Sequence, residues 1–183
     1  TKVPHDNSSA RRESSGAFKV DLDSISVGMN GPISMQRIGP YISAAHALEP
    51  PMPVILSECC YEGMFEQNRE DLQRFAFWSA VLSGACGFTY GANGVWQVNI
   101  EDKPFLSSLY VYSHGILPWR DGMSQPGSTQ VGLGKKLLDR YPWWRLEPHP
   151  EWVEPHWTKQ NYEFPYAAAI PGEMCIIYFR HWF

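Results

Sequence analysis

The chain reads as an α/β protein: a parallel sheet with covering helices, followed by a β-hairpin. Three observations carry that reading. Short apolar runs and stretches of helical periodicity follow one another as strand, helix, strand, helix, strand, helix, an alternation that argues parallel strands joined by crossover helices. The run Val54-Ile55-Leu56-Ser57-Glu58 is apolar, follows Pro53, and is too short for a helix, so it reads as a buried strand. Two closing apolar runs, Tyr166–Ile170 and Cys175–Phe179, are separated by Pro171-Gly172-Glu173, which is hairpin chemistry. Three strand–helix units are too few to close a barrel, which takes eight units and about 250 residues.

Taken in order, residues 1–16 are polar and rich in serine and arginine, and read as a loop. From Phe18 to Gly28 apolar residues at 18, 20, 22, 25 and 27 alternate with one slip, as in a strand. Asp21 and Asp23 are its polar positions, and as isolated aspartates they suit a turn or a helix cap. Asn30-Gly31-Pro32 closes this element with turn residues. Ile33 to Leu48 has helical spacing interrupted by Gly39-Pro40, which predicts a broken or late-starting helix. After the strand ending at Glu58, Asn68 to Gly84 is the clearest helix, with Asn68 as the cap, Glu70 and Asp71 in the first turn, and Gly84 beyond the end. Four glycines between Gly84 and Gln97 permit close backbone approach. Without a GxGxxG, and with no helix opening after it, this stretch is not a dinucleotide fingerprint. Phe88-Thr89-Tyr90 is a short strand, and Asn93–Gln97 a loop whose Trp96 belongs either to the core or over a pocket. Residues 98–125 form a long excursion containing Pro104, His114, Pro118 and Trp119, and Ser128–Tyr141 is helical with Leu133, Leu137 and Leu138 as its face.

Composition narrows the class. In 183 residues, 44% are hydrophobic, 19% charged and 14% aromatic, with eight tryptophans, so the chain is globular and rich in flat faces suited to cores or to sugar rings. A net charge of −4 without a basic patch argues against a nucleic-acid partner. No apolar run is long enough to span a membrane. The four cysteines, Cys59, Cys60, Cys86 and Cys175, show neither CxxC nor a Cys/His ligand spacing, so neither a disulfide framework nor a metal site is expected, and no cofactor is called for. The chain opens in a polar segment and stops just after a strand-like run, which predicts part of a longer polypeptide, with any targeting signal outside it.

The candidate site is Glu58. It follows four strand residues and therefore sits where the strand leaves its core, with Tyr61, Glu62 and Gly63 opening a loop beside it. Barrel enzymes keep their catalytic groups at the C-terminal tips of parallel strands, whereas the plain alternative is a solvated strand-end glutamate.

SECCYEG at 57–63, REDLQRFAFWSAVLSGACGFTYGANGVWQ at 69–97 and PGSTQVGLGKKLLDRYPWWRLEP at 126–148 resemble the apiosidase-like (β/α)8-barrel glycoside hydrolases. Members show a strand ending in Glu, a Tyr-Glu pair, a helix beginning with Arg, and a Gly-Ala-x-Gly-x-Thr-Tyr-Gly strand ending in a Trp loop. The resemblance spans roughly residues 17–148. It departs from the family at the strand before, where members usually carry a glutamine and Ser-Gly-His but this chain has Ser26 and Val27-Gly28-Met29.

The resemblance implies that residues 1–148 are the C-terminal portion of a TIM barrel, about strands six to eight, and that 149–183 begin a small β-sandwich-like domain. It implies that Glu58 is one member of a catalytic carboxylate pair, whose partner comes from a barrel segment outside this chain, in the same or a companion polypeptide. Tyr61, Glu62, Tyr90 and Trp96 would bind an oligosaccharide or polysaccharide, Glu62 by anchoring a hydroxyl or orienting Glu58, while Arg69 would cap or pair structurally. No metal or cofactor is implied, and export, secreted or periplasmic, is implied by the habit of such enzymes. The rival reading is a barrel that binds carbohydrate without cleaving it.

Overall fold

The computed structural model describes residues 22–28, 31–66, 68–101 and 116–181. The opening loop, Asp21, and the part of the long excursion that contains Pro104 and His114 lie outside the described residues. Strands β1 (Asp23–Ser26), β2 (Val54–Glu58) and β3 (Gly87–Phe88) form a parallel sheet in the order β1-β2-β3. Helix α1 (Gly31–His46) connects the first two and α2 (Glu70–Leu82) the next two. A four-residue helix α3 (Trp119–Gly122) precedes α4 (Pro126–Leu138). Strands β4 (Glu147–Pro148), β5 (Tyr166–Ile170) and β6 (Met174–Tyr178) make a second, antiparallel sheet, of which β4 had no sequence signal.

Both sheets pack into a common core. Ile25, Val27, Val54 and Leu56 point from the parallel sheet toward Met35, Ile38 and Ile42 of α1 and Phe75 and Ala76 of α2. Tyr166 and Ala168 of β5 join the same cluster, and the Phe75 ring meets Tyr166 edge-on at 5.8 Å. The other face of the parallel sheet carries Ser24, Ser26, Ile55 and Ser57, none of them buried.

Several local expectations are corrected. Asp23 is neither turn nor cap but a fully buried strand residue on the side of Ile25 and Val27, while Leu22 is 44% exposed. Gly31-Pro32 opens α1 rather than a turn, because a proline in the first turn of a helix forfeits a donor that has no partner there anyway. Helix α1 then runs unbroken through Gly39-Pro40. Pro40 removes the one ladder bond to the Gln36 carbonyl, at about 3 kcal/mol. Burial of Met35, Ile38, Ile42 and Ala45 on the same helix outweighs it, at about 1.5–3 kcal/mol for each of the larger side chains. Gly39 itself is a docking point, since a Cβ there would stand 3.0 Å from the Trp157 ring and from the Tyr166 hydroxyl. Arg69, exposed, occupies the N-cap of α2 without a side-chain capping bond, and Asn68 is buried with its carbonyl accepting from the Gly63 N–H at 2.7 Å.

Helix α4 presents a different face from the leucine stripe that its sequence suggests. Leu133 and Leu137 are 59% and 39% exposed, and the buried residues are Gly127, Gly134 and Leu138. Glycine at this seam lets α4 lie close on α2: a Cβ at Gly134 would meet Phe77 Cε1 at 2.5 Å. Gly134→Val therefore overpacks the seam and is expected to cost about 1–3 kcal/mol, read as a lower urea midpoint at unchanged slope.

Candidate active site

Glu58 is turned toward the open end of the sheet by a break in register. Ile25 pairs with Leu56 but Ser26 pairs with Glu58, so Ser57 is an extra residue on β2. Strict alternation would send Glu58 to the side of Leu56, under the helices; the bulge resets it to the side of Ser26, as bulges beside sites re-aim side chains. Ser57 fills the gap in the ladder with its own hydroxyl, donating to the Ile25 carbonyl at 3.0 Å and accepting from Ser24 Oγ at 2.7 Å. Val27 N–H donates to the Glu58 carbonyl at 3.0 Å and re-establishes the ladder beyond it.

The half-buried Glu58 carboxyl is held on both oxygens. Ser26 Oγ donates to Oε2 at 2.7 Å, and the Tyr61 hydroxyl donates to Oε1 at 2.8 Å. Tyr61 is placed by Gly91, whose missing side chain leaves room for the ring: a Cβ there would sit 2.1 Å from Tyr61 Cδ1. Two hydroxyl donors, one per oxygen, fix the plane of the carboxyl group. Such a group is suited to attack an electrophilic carbon or to accept a proton.

Glu62, four residues on, is used differently. It is 2% exposed, its Oε2 accepts from the Tyr90 hydroxyl at 2.5 Å, and the Gly127 N–H donates to both its oxygens at 3.0 Å. Gly127 is the second residue of α4, so the carboxylate sits at a helix N-terminus and accepts from one of the backbone donors that have no partner within the helix. Its backbone also joins the loops: Glu62 N–H donates to the Gly91 carbonyl at 2.9 Å and Asn93 N–H to the Glu62 carbonyl at 2.7 Å. Glu62 and Tyr90, both expected at the substrate, are brought together by this loop. Their polar atoms bond to each other and to α4, because burial in this loop demands internal partners. Trp96 lies on the surface at 44% exposure, not in the core.

Ser26 and Gly127 are the site residues that sequence reading did not assign. Ser26 stood out only as a departure from the resembled pattern, and nothing in the sequence marked Gly127 as the partner of a carboxylate 65 residues away. Among the described residues, no group of three or more His, Cys, Asp or Glu is placed to hold a metal ion, and no helix is long and apolar enough to cross a membrane.

The tyrosines around the two carboxylates have raised pKa values. Burial is the larger cause for both Tyr61 and Tyr90, followed by the hydrogen bonds to Glu58 and Glu62 and the charge of those groups. Tyr166, also pushed up by burial, behaves alike. A hydroxyl whose folded pKa lies above its unfolded value stabilises the fold fully below about pH 10 and ceases to do so as pH rises further. An alkaline titration followed at 295 nm is expected to show these three tyrosines ionising only as the chain unfolds.

A bulged parallel strand thus delivers a clamped glutamate to its C-terminal end, the place where α/β-barrel enzymes keep their catalytic groups. The sequence family described as "Apiosidase-like, catalytic domain" matches residues 3–145, and the chain belongs to that family. In fold it is similar to a structure described as "Glycoside hydrolase", with TM-score 0.65 and 21% identity over 82% of this chain and 37% of that one. It is equally similar to the crystal structure of a glycoside hydrolase family 5 from Bacteroides vulgatus ATCC 8482, with TM-score 0.66 and 20% identity over 82% of this chain and 36% of that one. The chain thus spans little more than a third of the length of those two proteins. No curated protein matches the sequence.

Proposed function

We propose that the chain is the C-terminal portion of a TIM-barrel glycoside hydrolase that cleaves a glycosidic bond in a plant or microbial glycan by a two-carboxylate mechanism. The observation that carries this is Glu58, held by Ser26 and Tyr61 at the C-terminal end of a parallel strand in a chain of the Apiosidase-like catalytic family. Retaining enzymes set their two carboxyl groups about 5–5.5 Å apart and inverting ones about 6.5–9.5 Å. Glu58 is the acceptor member, nucleophile or base, and its proton-donating partner comes from the segment that completes the barrel. Glu62 is not that partner, since its oxygens serve Tyr90 and Gly127. Tyr61 and the exposed Trp96 supply the aromatic surfaces for the sugar.

One face of the parallel sheet supports the barrel reading. Parallel sheets are ordinarily covered on both sides, and among the described residues this face, with β1 and β3 at the edges, carries Ser24, Ser26 and Ser57 beside Ile55, mostly small polar residues that suit the inside of a barrel rather than solvent. Division at 148 belongs to the same proposal, supported by the separate antiparallel sheet that begins at β4, as does export from the cytoplasm. The test is hydrolysis of a panel of aryl glycosides by this chain joined to the polypeptide that completes the barrel. Release of aryl alcohol from at least one glycoside is expected; stoichiometric sugar binding with no turnover of any would leave a carbohydrate-binding barrel.

A further inference from the structure

At the opposite end of the parallel strands from Glu58 lies a cleft of about 220 Å³. Its floor is the start of β2 at Pro53 and Val54 and the approach to β3 at Cys86, whose N–H donates to the Val54 carbonyl at 2.8 Å. Val54 and Glu58 are the two ends of one strand, so the two places are about 13 Å apart along it, at 3.3 Å per residue. Hydrolysis at Glu58 would not involve this cleft.

Its walls are built from both sheets. His46, the last residue of α1, lies flat against Gly84: a Cβ at Gly84 would fall 2.6 Å from the imidazole Cγ, and Gly84 has φ +106°, a conformation that favours glycine. Glu147 of β4, held in register opposite Ala169, reaches the other side of the ring, with Oε2 3.3 Å from His46 Nε2. Trp143 and Trp144 complete the rim, Trp143 half-buried against the core and Trp144 73% exposed. An indole left that far in water beside a cleft is an unfilled apolar face. The adjacent cation, Arg145, is turned away in a two-pronged pair with Glu173 at 2.6 and 2.8 Å, so the charge the described residues leave at the cleft mouth is the Glu147 carboxylate.

We infer that this cleft is a second carbohydrate-binding site, which takes a neutral pyranose unit of a glycan chain and holds the polymer away from the catalytic end. The apolar face of a pyranose stacks on the Trp144 indole, and its hydroxyls bond to the imidazole of His46 and the carboxylate of Glu147. That carboxylate disfavours uronic acid units, which would bring like charge against it. The inference rests on the reading that this chain handles glycans, but it does not require Glu58 to be catalytic.

The experiment is calorimetric titration of the full chain with xylohexaose, cellohexaose, mannohexaose and trigalacturonate. Binding of at least one neutral hexamer and none of trigalacturonate is expected. Trp144→Ala should weaken the binding about tenfold, one stacking contact being worth on the order of a kcal/mol, and Glu147→Gln should weaken it with far-ultraviolet circular dichroism unchanged. Glu58→Gln should leave it intact, which separates this site from the catalytic one: sugar binding lost in Glu58→Gln but kept in Trp144→Ala overturns the inference while leaving the hydrolase reading standing. A third arm needs no substitution among the cleft residues. In a Cys175→Ser background, Cys86 is the remaining exposed cysteine, and attaching a bulky maleimide to it should block the hexamer. The inference is also overturned if no neutral hexamer binds, or if binding is indifferent to both Trp144→Ala and the Cys86 adduct. Concentration-dependent association of the chain that Trp144→Ala abolishes, with no sugar binding, would make the cleft a protein contact instead.

Discussion

Glu58→Gln is expected to lower aryl-glycoside hydrolysis by about 10²–10⁴-fold, the range for loss of a positioned catalytic acid or base, while leaving the unfolding midpoint close to wild type. The substitution is nearly isosteric. Its amide oxygen still accepts from Ser26, and only the contact with Tyr61 reverses, the amide N–H donating to the phenol oxygen. What is lost is the charge, and with it attack on the anomeric carbon or activation of water. Two companions separate chemistry from scaffold. Tyr61→Phe keeps the ring over Gly91 and removes one donor, and Ser26→Ala removes the other; each should lower kcat by less than Glu58→Gln, with KM little changed, because they orient the carboxyl group rather than react. Wild-type turnover in Glu58→Gln would remove Glu58 from the mechanism and reduce it to a polar strand end.

How much of this was legible depends on whether the signal was local. Strand β2, helix α2 and the β5–β6 hairpin are written in contiguous apolar runs with turn residues at their ends, and they appear where the pattern places them. Alternation of strand and helix likewise gave the parallel sheet. What sequence could not supply was any feature set by distant contact. The continuity of α1 through Pro40 is decided by Met35, Ile38 and Ile42 packing on the sheet, which overrides the local penalty. The glycine seam of α4 is decided by where Phe77 of α2 stands.

At the site the same division holds. Glu58 was legible because a carboxylate at the end of an apolar run is a local pattern. Its aim is not local: the bulge at Ser57 exists only in the pairing of β2 with β1, and Ser26 becomes a clamp only through that register. Glu62 was legible as a polar residue beside a site, but its two internal partners, Tyr90 and Gly127, were not, because they come from later elements. Serine at 26, a departure from the resembled family, thus carries a hydrogen bond to the very residue the resemblance singles out.

Removing that internal tie is the second large effect. Glu62→Ala leaves the Gly127 N–H and the Tyr90 hydroxyl buried without their acceptor, and hydrogen bonds to a charged group are worth about 1.5–3 kcal/mol each. A loss of about 3 kcal/mol is expected, which for a chain of this length lowers Tm by about 6–12 °C. Glu62→Gln should cost less, because one oxygen still accepts and the Tyr90 hydroxyl can accept from the amide, although the amide nitrogen then stands against the Gly127 N–H. Gly127→Ala attacks the tie from the other side, since a Cβ there would fall 2.3 Å from Glu62 Oε2, and it should destabilise in the same direction. The effect reaches Glu58 through backbone: Glu62 N–H is bonded to the Gly91 carbonyl, and Gly91 is the residue under the Tyr61 ring. Glu62→Ala is therefore expected to lose both stability and kcat, whereas Glu58→Gln loses kcat alone. Thermal unfolding by circular dichroism, run beside the kinetic assay, reads the two together. A Glu62→Ala protein that melts with wild type would show the carboxylate to be dispensable to the fold, and would return Glu62 to the substrate.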